Sequence, residues 1–282
     1  MSTVFHAAAD TRLLGQATEL IQTNECGTRH VVEWISQQGG IPLHYISTLA
    51  VAGEVSDPRA FAETDFDIGQ RFLSPYEESK FNSERIVRDT AATRSATYIY
   101  RMGHIASNSA TGAFQTNMGD NRIYQMIKSY ALAGLIIDKE SHGVSFSHID
   151  VVAAAILAIA RDPFVPAQVF HVENPYILDP RQMASWLTDF GYPVVPVSAH
   201  EYWNALNNHV AKQDEVLAAV ALQWSERPNR NVIFDNKRTL DTMDRLGISF
   251  PKPNYQWFER AMSFAIDADY MPEPKKEVLD AF

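Results

Sequence analysis

SPYEESKFNSERIVRDTAATRSATYIYR, residues 74–101, decides the fold. Ser74 suits a helix N-cap and Pro75 the first helical position, and Glu77 and Glu78 place negative charge in the positive first turn, so the stretch predicts a helix over 74–93. ATYIYR at 96–101 then reads as a strand. Upstream, LHYIST at 43–48 reads as another strand behind the GGIP breaker. A helix is predicted over 14–38, where Leu20, Ile21, Val31, Val32 and Ile35 form an apolar stripe, and Val4 and Phe5 open the chain as a short buried strand. Strand, helix, strand, helix, strand in this order is the pattern of a parallel sheet covered by helices.

Downstream the pattern loosens. The residues between about 52 and 73 read as loop, as does ASNSATGAFQTN at 106–117. A helix around 120–134, a strand VSF at 144–146, a helix over 149–161 and a strand VFHVEN at 169–174 follow. From about 178 helices predominate, broken by turns at GYPVVP (191–196), ERPN (226–229) and FPKPN (250–254). The expected division is 1–115 plus 143–175 as the sheet-bearing part and 116–142 plus 176–282 as a mainly helical lobe.

The 282 residues are 46% apolar and 21% charged, the mix of a folded globular chain. The net charge of −10, with no cluster of Lys and Arg, argues against a nucleic-acid ligand. Cys26 is the single cysteine and no Cys/His set has zinc spacing, so neither an internal disulfide nor a metal is expected, and the setting is read as cytoplasmic. The longest apolar run, VVAAAILAIA at 151–160, is about half a membrane span, and no export signal is visible.

Within the opening stretch, Tyr76 and Lys80 lie one turn apart on one helix face. An ammonium there can lower the pKa of a phenol enough for it to exchange a proton with a carbonyl or alcohol oxygen. The same spacing also occurs on the polar face of any helix, and Tyr124 and Lys128 repeat it. Order along the chain separates the two pairs. The strand before Tyr76 ends in Ser47 and Thr48, which brings a hydroxyl toward the carboxyl edge of a parallel sheet, where open α/β folds bind ligands. Tyr124 has no such companion and reads as a lobe or surface residue.

HAAAD (6–10), NECGT (24–28), YISTLAVAG (45–53), YEESKFNSE (76–84) and YRMGHIASNSATG (100–112) follow the order and spacing of the extended short-chain dehydrogenase/reductases. The chain most resembles their thioester-reductase branch, the terminal reductase domains of peptide synthetases and the carboxylic acid reductases. The resemblance implies a Rossmann-like α/β fold, NADP(H) or NAD(H) as cofactor, and an acyl or peptidyl carrier protein with its phosphopantetheine arm as partner. It makes Thr48 the hydroxyl on the substrate carbonyl, Tyr76 the general acid, Lys80 its electrostatic partner and ribose ligand, and Asn24 the support of a proton-relay water. His6, Ala7, Ala8, Met102, Gly103 and His104 match segments beside the cofactor, although the family usually has proline where Met102 stands. Ser107, Ser109 and Thr111 match the segment leading to the substrate lobe. The implied reaction is reduction of a carrier-bound thioester to an aldehyde, with an alcohol after a second round; the alternative is a non-redox module that binds or cyclises the same thioester.

Relative to that family, the glycine-rich strand–turn–helix that binds a pyrophosphate has no counterpart ahead of HAAAD. Three readings stay open: a fragment of a larger reductase, a natural remnant without redox activity, or a chain whose sheet is completed by a partner. VFHAAA would then be an apolar sheet edge that invites pairing.

Other candidates carry less. His148 and Asp150 could form a charge relay, but no G-x-S-x-G elbow accompanies them, and Asp150 is read as a helix cap. Cys26 is read as structural. Tyr202, Trp203, Trp224, Tyr255 and Trp257 sit at helical spacing and are read first as core, second as a wall for an acyl chain.

Overall fold

The computed structural model describes residues 3–12, 16–91, 95–139, 143–166, 168–210 and 230–274. Trp224, the ERPN turn and the expected helix start at Leu14 lie outside the described residues. The chain forms two compact units. The first comprises 1–103, 152–173 and 229–249, and the second 104–151, 174–228 and 250–282. Residues 229–249, expected in the helical lobe, thus fold with the sheet, and 104–115 belong with the lobe.

The first unit opens with β1 (Val4–His6), followed by α1 (Ala17–Leu20), a π-helical turn Ile21–Cys26 and α2 (Gly27–Gln37). Next come β2 (Leu43–Thr48), β3 (Arg59–Phe61), α3 (Pro75–Ala91) and β4 (Thr97–Met102). The main sheet is fully parallel in the order β1, β2, β4 and the strand Val169–Val172. Its register pairs His6 with Tyr45, Thr48 with Met102, and Met102 with Val172, so the strand ends meet along one carboxyl edge.

Period-two alternation explains what the helices cover. Leu43 and Tyr45 of β2, Ile99 of β4 and Val169 pack with Val32 and Ile35 of α2 and Val87 of α3. Burial of each such side chain contributes about 1.5–3 kcal/mol before entropy is charged. The start of α3 is capped as its sequence predicts: Ser74 Oγ accepts from Glu77 N at 3.3 Å, and Glu77 reaches back to accept from Leu73 N at 2.8 Å.

Several short strands escape the sequence pattern. Inside the expected 52–73 loop, β3 pairs in parallel with Val232–Phe234, which lies in the expected helical tail. Three residues are too few to show alternation, and the partner is far along the chain. In the second unit, Val195–Val197, which begins inside the expected GYPVVP turn, pairs with Leu135–Ile137. The expected strand 144–146 divides instead: Val144–Ser145 pairs with Ile177–Leu178 and Ser147–His148 with Ile105–Ala106.

The second unit is built around helices Arg122–Ala133, Pro180–Phe190 and Tyr255–Asp267. Met126, Ile127, Tyr130, Leu187, Phe258 and Met262 form its core. Tyr202 and Trp257 are buried there, with Trp203 and Tyr255 packed against them. Tyr124 is also a core residue rather than a surface one, and burial pushes its phenol up to about 12. Its neighbour Lys128 lies 4.4 Å above the Tyr270 ring. Among the described residues no helix is long and apolar enough to cross a membrane.

Candidate active site

At the carboxyl end of β2 the chain bends at once into a 3₁₀ turn, Leu49–Ala52. Thr48 caps it, its Oγ1 accepting from Ala50 N at 3.2 Å. The bend closes at Gly53, at φ +54°, where a Cβ would stand 2.5 Å from the Arg71 carbonyl oxygen. Only glycine fits, so the hydroxyl of Thr48 is fixed at the sheet edge.

Tyr76, half-buried in the first turn of α3, meets that hydroxyl. Burial pushes the phenol up to about 12, Glu77 adds to the rise, and the hydrogen bond with Thr48 opposes it. The phenol is therefore held protonated at neutral pH, the form an acid catalyst needs.

Lys80, one turn on, is 3% exposed. Its Nζ donates to Tyr45 Oη at 2.8 Å and to the Ile46 carbonyl at 2.9 Å, and stands 4.5 Å from the Tyr45 ring centroid. The ammonium expected to face Tyr76 is thus engaged with a different phenol. Burial lowers the Lys80 pKa to about 8, and the carboxylate of Glu84 opposes the fall.

Asn24 is presented by the π-helical turn, whose extra residue turns it into the protein, 1% exposed. Its amide grips the backbone of Asp10 from both sides, accepting from Asp10 N at 2.8 Å and donating to Asp10 O at 3.0 Å. It also donates to Ser79 Oγ at 3.0 Å, and Ser79 Oγ donates to the Tyr76 carbonyl at 2.9 Å. One amide thereby ties the loop after β1 to the turn carrying Tyr76.

The other expected residues are placed as follows. His6 is buried, with Nε2 3.0 Å from Thr28 Oγ1, while Ala7 and Ala8 are exposed at the end of β1. Met102 is buried at the end of β4, and a Cβ on Gly103 would stand 2.6 Å from Glu173 Oε1. His104 begins the second unit, which also holds Ser107, Ser109 and Thr111. Ser107 is fully buried, its hydroxyl accepting from Trp257 Nε1 at 3.1 Å and its carbonyl 3.1 Å from His148 Nδ1. The Asp150 carboxylate accepts from Ser109 N at 2.8 Å and Ser109 Oγ at 2.6 Å, so it stitches the loop to the helix start beyond any capping of its own helix. Thr111 is exposed, its Oγ1 accepting from Ala113 N at 3.2 Å.

Sequence reading missed a second layer behind the pair. Glu84, fully buried, accepts from Arg101 Nη2 at 2.7 Å and from Ser47 Oγ at 2.7 Å. Arg101, also fully buried, continues to the Asp65 carbonyl at 2.7 Å and to His171 Nε2 at 3.0 Å. The spacing of Tyr76, Lys80 and Glu84, each four apart, was the available signal for Glu84. Arg230 offered none: it donates to the buried carboxylate of Glu77 at 2.5 Å from more than 150 positions away.

Ala7 and Ala8, small and exposed at the end of β1, leave room there for the flat ring of a nicotinamide. Among the described residues no glycine-rich turn joins a parallel strand to a helix N-terminus, so none is assigned to a pyrophosphate.

A fully parallel sheet covered by helices, with Thr48 and Tyr76 at its carboxyl edge, is a Rossmann-like arrangement. The chain belongs to the NAD-binding family described as Male sterility protein, whose pattern matches residues 1–156. It is 27% identical over 217 residues to the glycine betaine reductase ATRR of Emericella nidulans, covering 75% of this chain and 17% of that one. Its fold matches the terminal R domain from the myxalamid PKS-NRPS pathway with a TM-score of 0.85, at 21% identity, over 97% of this chain and 70% of that one. A thiolation-reductase di-domain from an archaeal non-ribosomal peptide synthetase matches with a TM-score of 0.83, at 23% identity, over 96% and 58% of the two chains. The match spans 17% of the length of that Emericella nidulans reductase and 13% of a second curated relative, the isonitrile lipopeptide synthase of Streptomyces coeruleorubidus, to which the chain is 24% identical over 200 residues.

Proposed function

We propose that the chain is the catalytic and substrate-side portion of a nicotinamide-dependent reductase, acting in the cytoplasm on an acyl or peptidyl thioester held by a carrier protein. The observation that carries this reading is the Thr48 hydroxyl set against a protonated Tyr76 at the carboxyl edge of the sheet. The fold likeness to reductase domains and the family membership support it.

Lys80 and the exposed residues Ala7 and Ala8 are the groups assigned to the nicotinamide riboside, with Met102 and Gly103 as its further wall. When bound, the nicotinamide supplies the hydride. Thr48 and Tyr76 donate hydrogen bonds to the thioester carbonyl oxygen and hold it as negative charge develops there. Tyr76 then gives up its proton to that oxygen, and the resulting hemithioacetal splits into an aldehyde and the free thiol of the carrier arm. The second unit is assigned the acyl chain and the carrier, with Ser109 and Thr111 in its entry loop. Ser107 supports that loop from within.

The test is to add reduced nicotinamide and a thioester-loaded carrier protein and follow nicotinamide absorbance and aldehyde formation together. Oxidation matched by aldehyde supports the proposal. Binding of the loaded carrier with no nicotinamide bound or consumed favours the cyclising module.

Replacing Thr48 by valine keeps the shape and deletes the donor. Turnover is expected to fall about 10²–10³-fold, with a stability loss of about 1 kcal/mol for the cap on Ala50. Steady-state kinetics and urea unfolding measure the two effects.

Lys80 gives a pH dependence of two opposite signs. Its folded pKa, about 8, lies below its ordinary 10.5, so the folded protein releases this proton first. Turnover is expected to fall as pH rises through 8, because the ammonium is lost. Stability is expected to rise between 8 and 10.5, because charging the buried amine then no longer opposes folding. The Lys80→Met variant should lose that rise, as read from melting temperatures across the range.

A further inference from the structure

Glu77 follows Tyr76 in the first turn of α3, and its side chain is 2% exposed. One carboxylate oxygen, Oε2, accepts from Leu73 N at 2.8 Å, which leaves Oε1 to be answered by a cation. Arg230 supplies it, donating from Nη2 at 2.5 Å, while its Nη1 donates to the Gly53 carbonyl at 3.4 Å. Gly53 closes the turn that Thr48 caps. One planar guanidinium therefore joins the bend behind Thr48 to the helix turn that carries Tyr76.

Backbone contacts hold Arg230 itself. Its carbonyl accepts from Val55 N at 3.1 Å. The next residue, Asn231, accepts from Arg59 N at 2.8 Å through its carbonyl and donates from Nδ2 to the carbonyls of Val55 at 3.0 Å and Ser56 at 3.1 Å. Val232–Phe234 then continues as the strand beside β3. An ion pair between free surface side chains positions nothing, because both ends move. Here the fork starts from a fixed backbone and ends on a buried carboxylate.

Resting on the function proposed above, we propose that Arg230 is a positioning residue for that reaction: it clamps Gly53 to Glu77 and thereby holds the Thr48 hydroxyl and the Tyr76 phenol at the spacing one carbonyl oxygen requires. Misplacing a reacting group by about 1 Å costs about 10²-fold in rate. The guanidinium also screens the phenol from the Glu77 carboxylate, which pushes the Tyr76 pKa up. Arg230 acts through these neighbours and not on the substrate, so kcat carries the loss when it is removed.

Chemical rescue of Arg230→Ala tests the clamp. In that variant kcat is expected to fall about 10–10²-fold at nearly unchanged KM. Guanidinium chloride, well below unfolding concentrations, should restore most of the loss, and neither sodium chloride nor urea should. Guanidinium weakens a folded chain, so it would deepen a merely structural defect instead of relieving it. Arg230→Lys keeps a charge on Glu77 without the planar fork; it should still lose kcat, and it keeps the test decisive if the alanine variant does not fold. Without substrate or nucleotide, protein labelled at tyrosine Cζ reports the same clamp, the Tyr76 signal being assigned by its loss in Tyr76→Phe. That signal should move in both variants while the other tyrosine signals stay, and return when guanidinium is added to Arg230→Ala. An unmoved Tyr76 signal, an original kcat in Arg230→Lys, or a loss in Arg230→Ala that guanidinium does not relieve would overturn the clamp. A displaced and rescued signal in a protein that reduces no thioester would keep the clamp and defeat the function; an unmoved signal with full kcat in an active reductase would do the reverse.

Discussion

Tyr76→Phe is expected to lower turnover by about 10²–10⁴-fold while the melting temperature stays near that of the original protein. The substitution removes a single oxygen. The ring remains in the first turn of α3, and the cap from Ser74 to Glu77 does not involve it. What is lost is the proton held at the sheet edge, which burial keeps on the phenol up to about pH 12. Thr48 retains its hydroxyl and still orients the carbonyl, so KM should move far less than kcat. A fully active phenylalanine variant would remove Tyr76 from the mechanism.

Arg101→Leu should produce the largest change in stability. Both Arg101 and Glu84 are fully buried, and Arg101 also holds the Asp65 carbonyl and His171. Its removal leaves Glu84 with Arg88 at 3.0 Å and Ser47 as remaining partners. Breaking one side of such a pair costs about 3–5 kcal/mol, measurable by urea unfolding. The double change with Glu84→Leu should recover part of that loss, because no carboxylate is then stranded. The pH dependence has a definite sign. Burial raises the Glu84 pKa, but Arg101, with Arg88 and Ser47, more than offsets it and holds the carboxyl below its ordinary 4.5, so its stabilisation is complete above that value and lost as pH falls through the depressed folded one. In Arg101→Leu the Glu84 pKa rises, and the penalty should shrink on acidification.

Much of the site was legible because its spacing is local. Tyr76 and Lys80 are one turn apart on a helix whose start is written in Ser74 and Pro75, and Thr48 ends a strand of clear alternation. The main sheet was legible for the same reason, since β2 and β4, six residues each, are long enough to show their period. What stayed hidden depends on partners far along the chain. β3 is a strand only because Val232–Phe234 lies beside it. Ser107 reads as a loop hydroxyl until Trp257, 150 positions on, claims it. Lys80 reads as the partner of Tyr76 because they share a face, yet its hydrogen bonds go to β2, through Tyr45 and Ile46. Helical spacing names the neighbours along one element and is silent about the strand beneath.

The π-helical turn Ile21–Cys26 limits how the chain can vary in length. A chain one residue shorter there would close the turn as ordinary helix, and everything before it would swing by about 100° around the axis. Asn24 would then point elsewhere and release Asp10, loosening the loop that leads away from β1. In this segment a single deletion is a heavier change than most substitutions, because it rotates a whole face instead of altering one group.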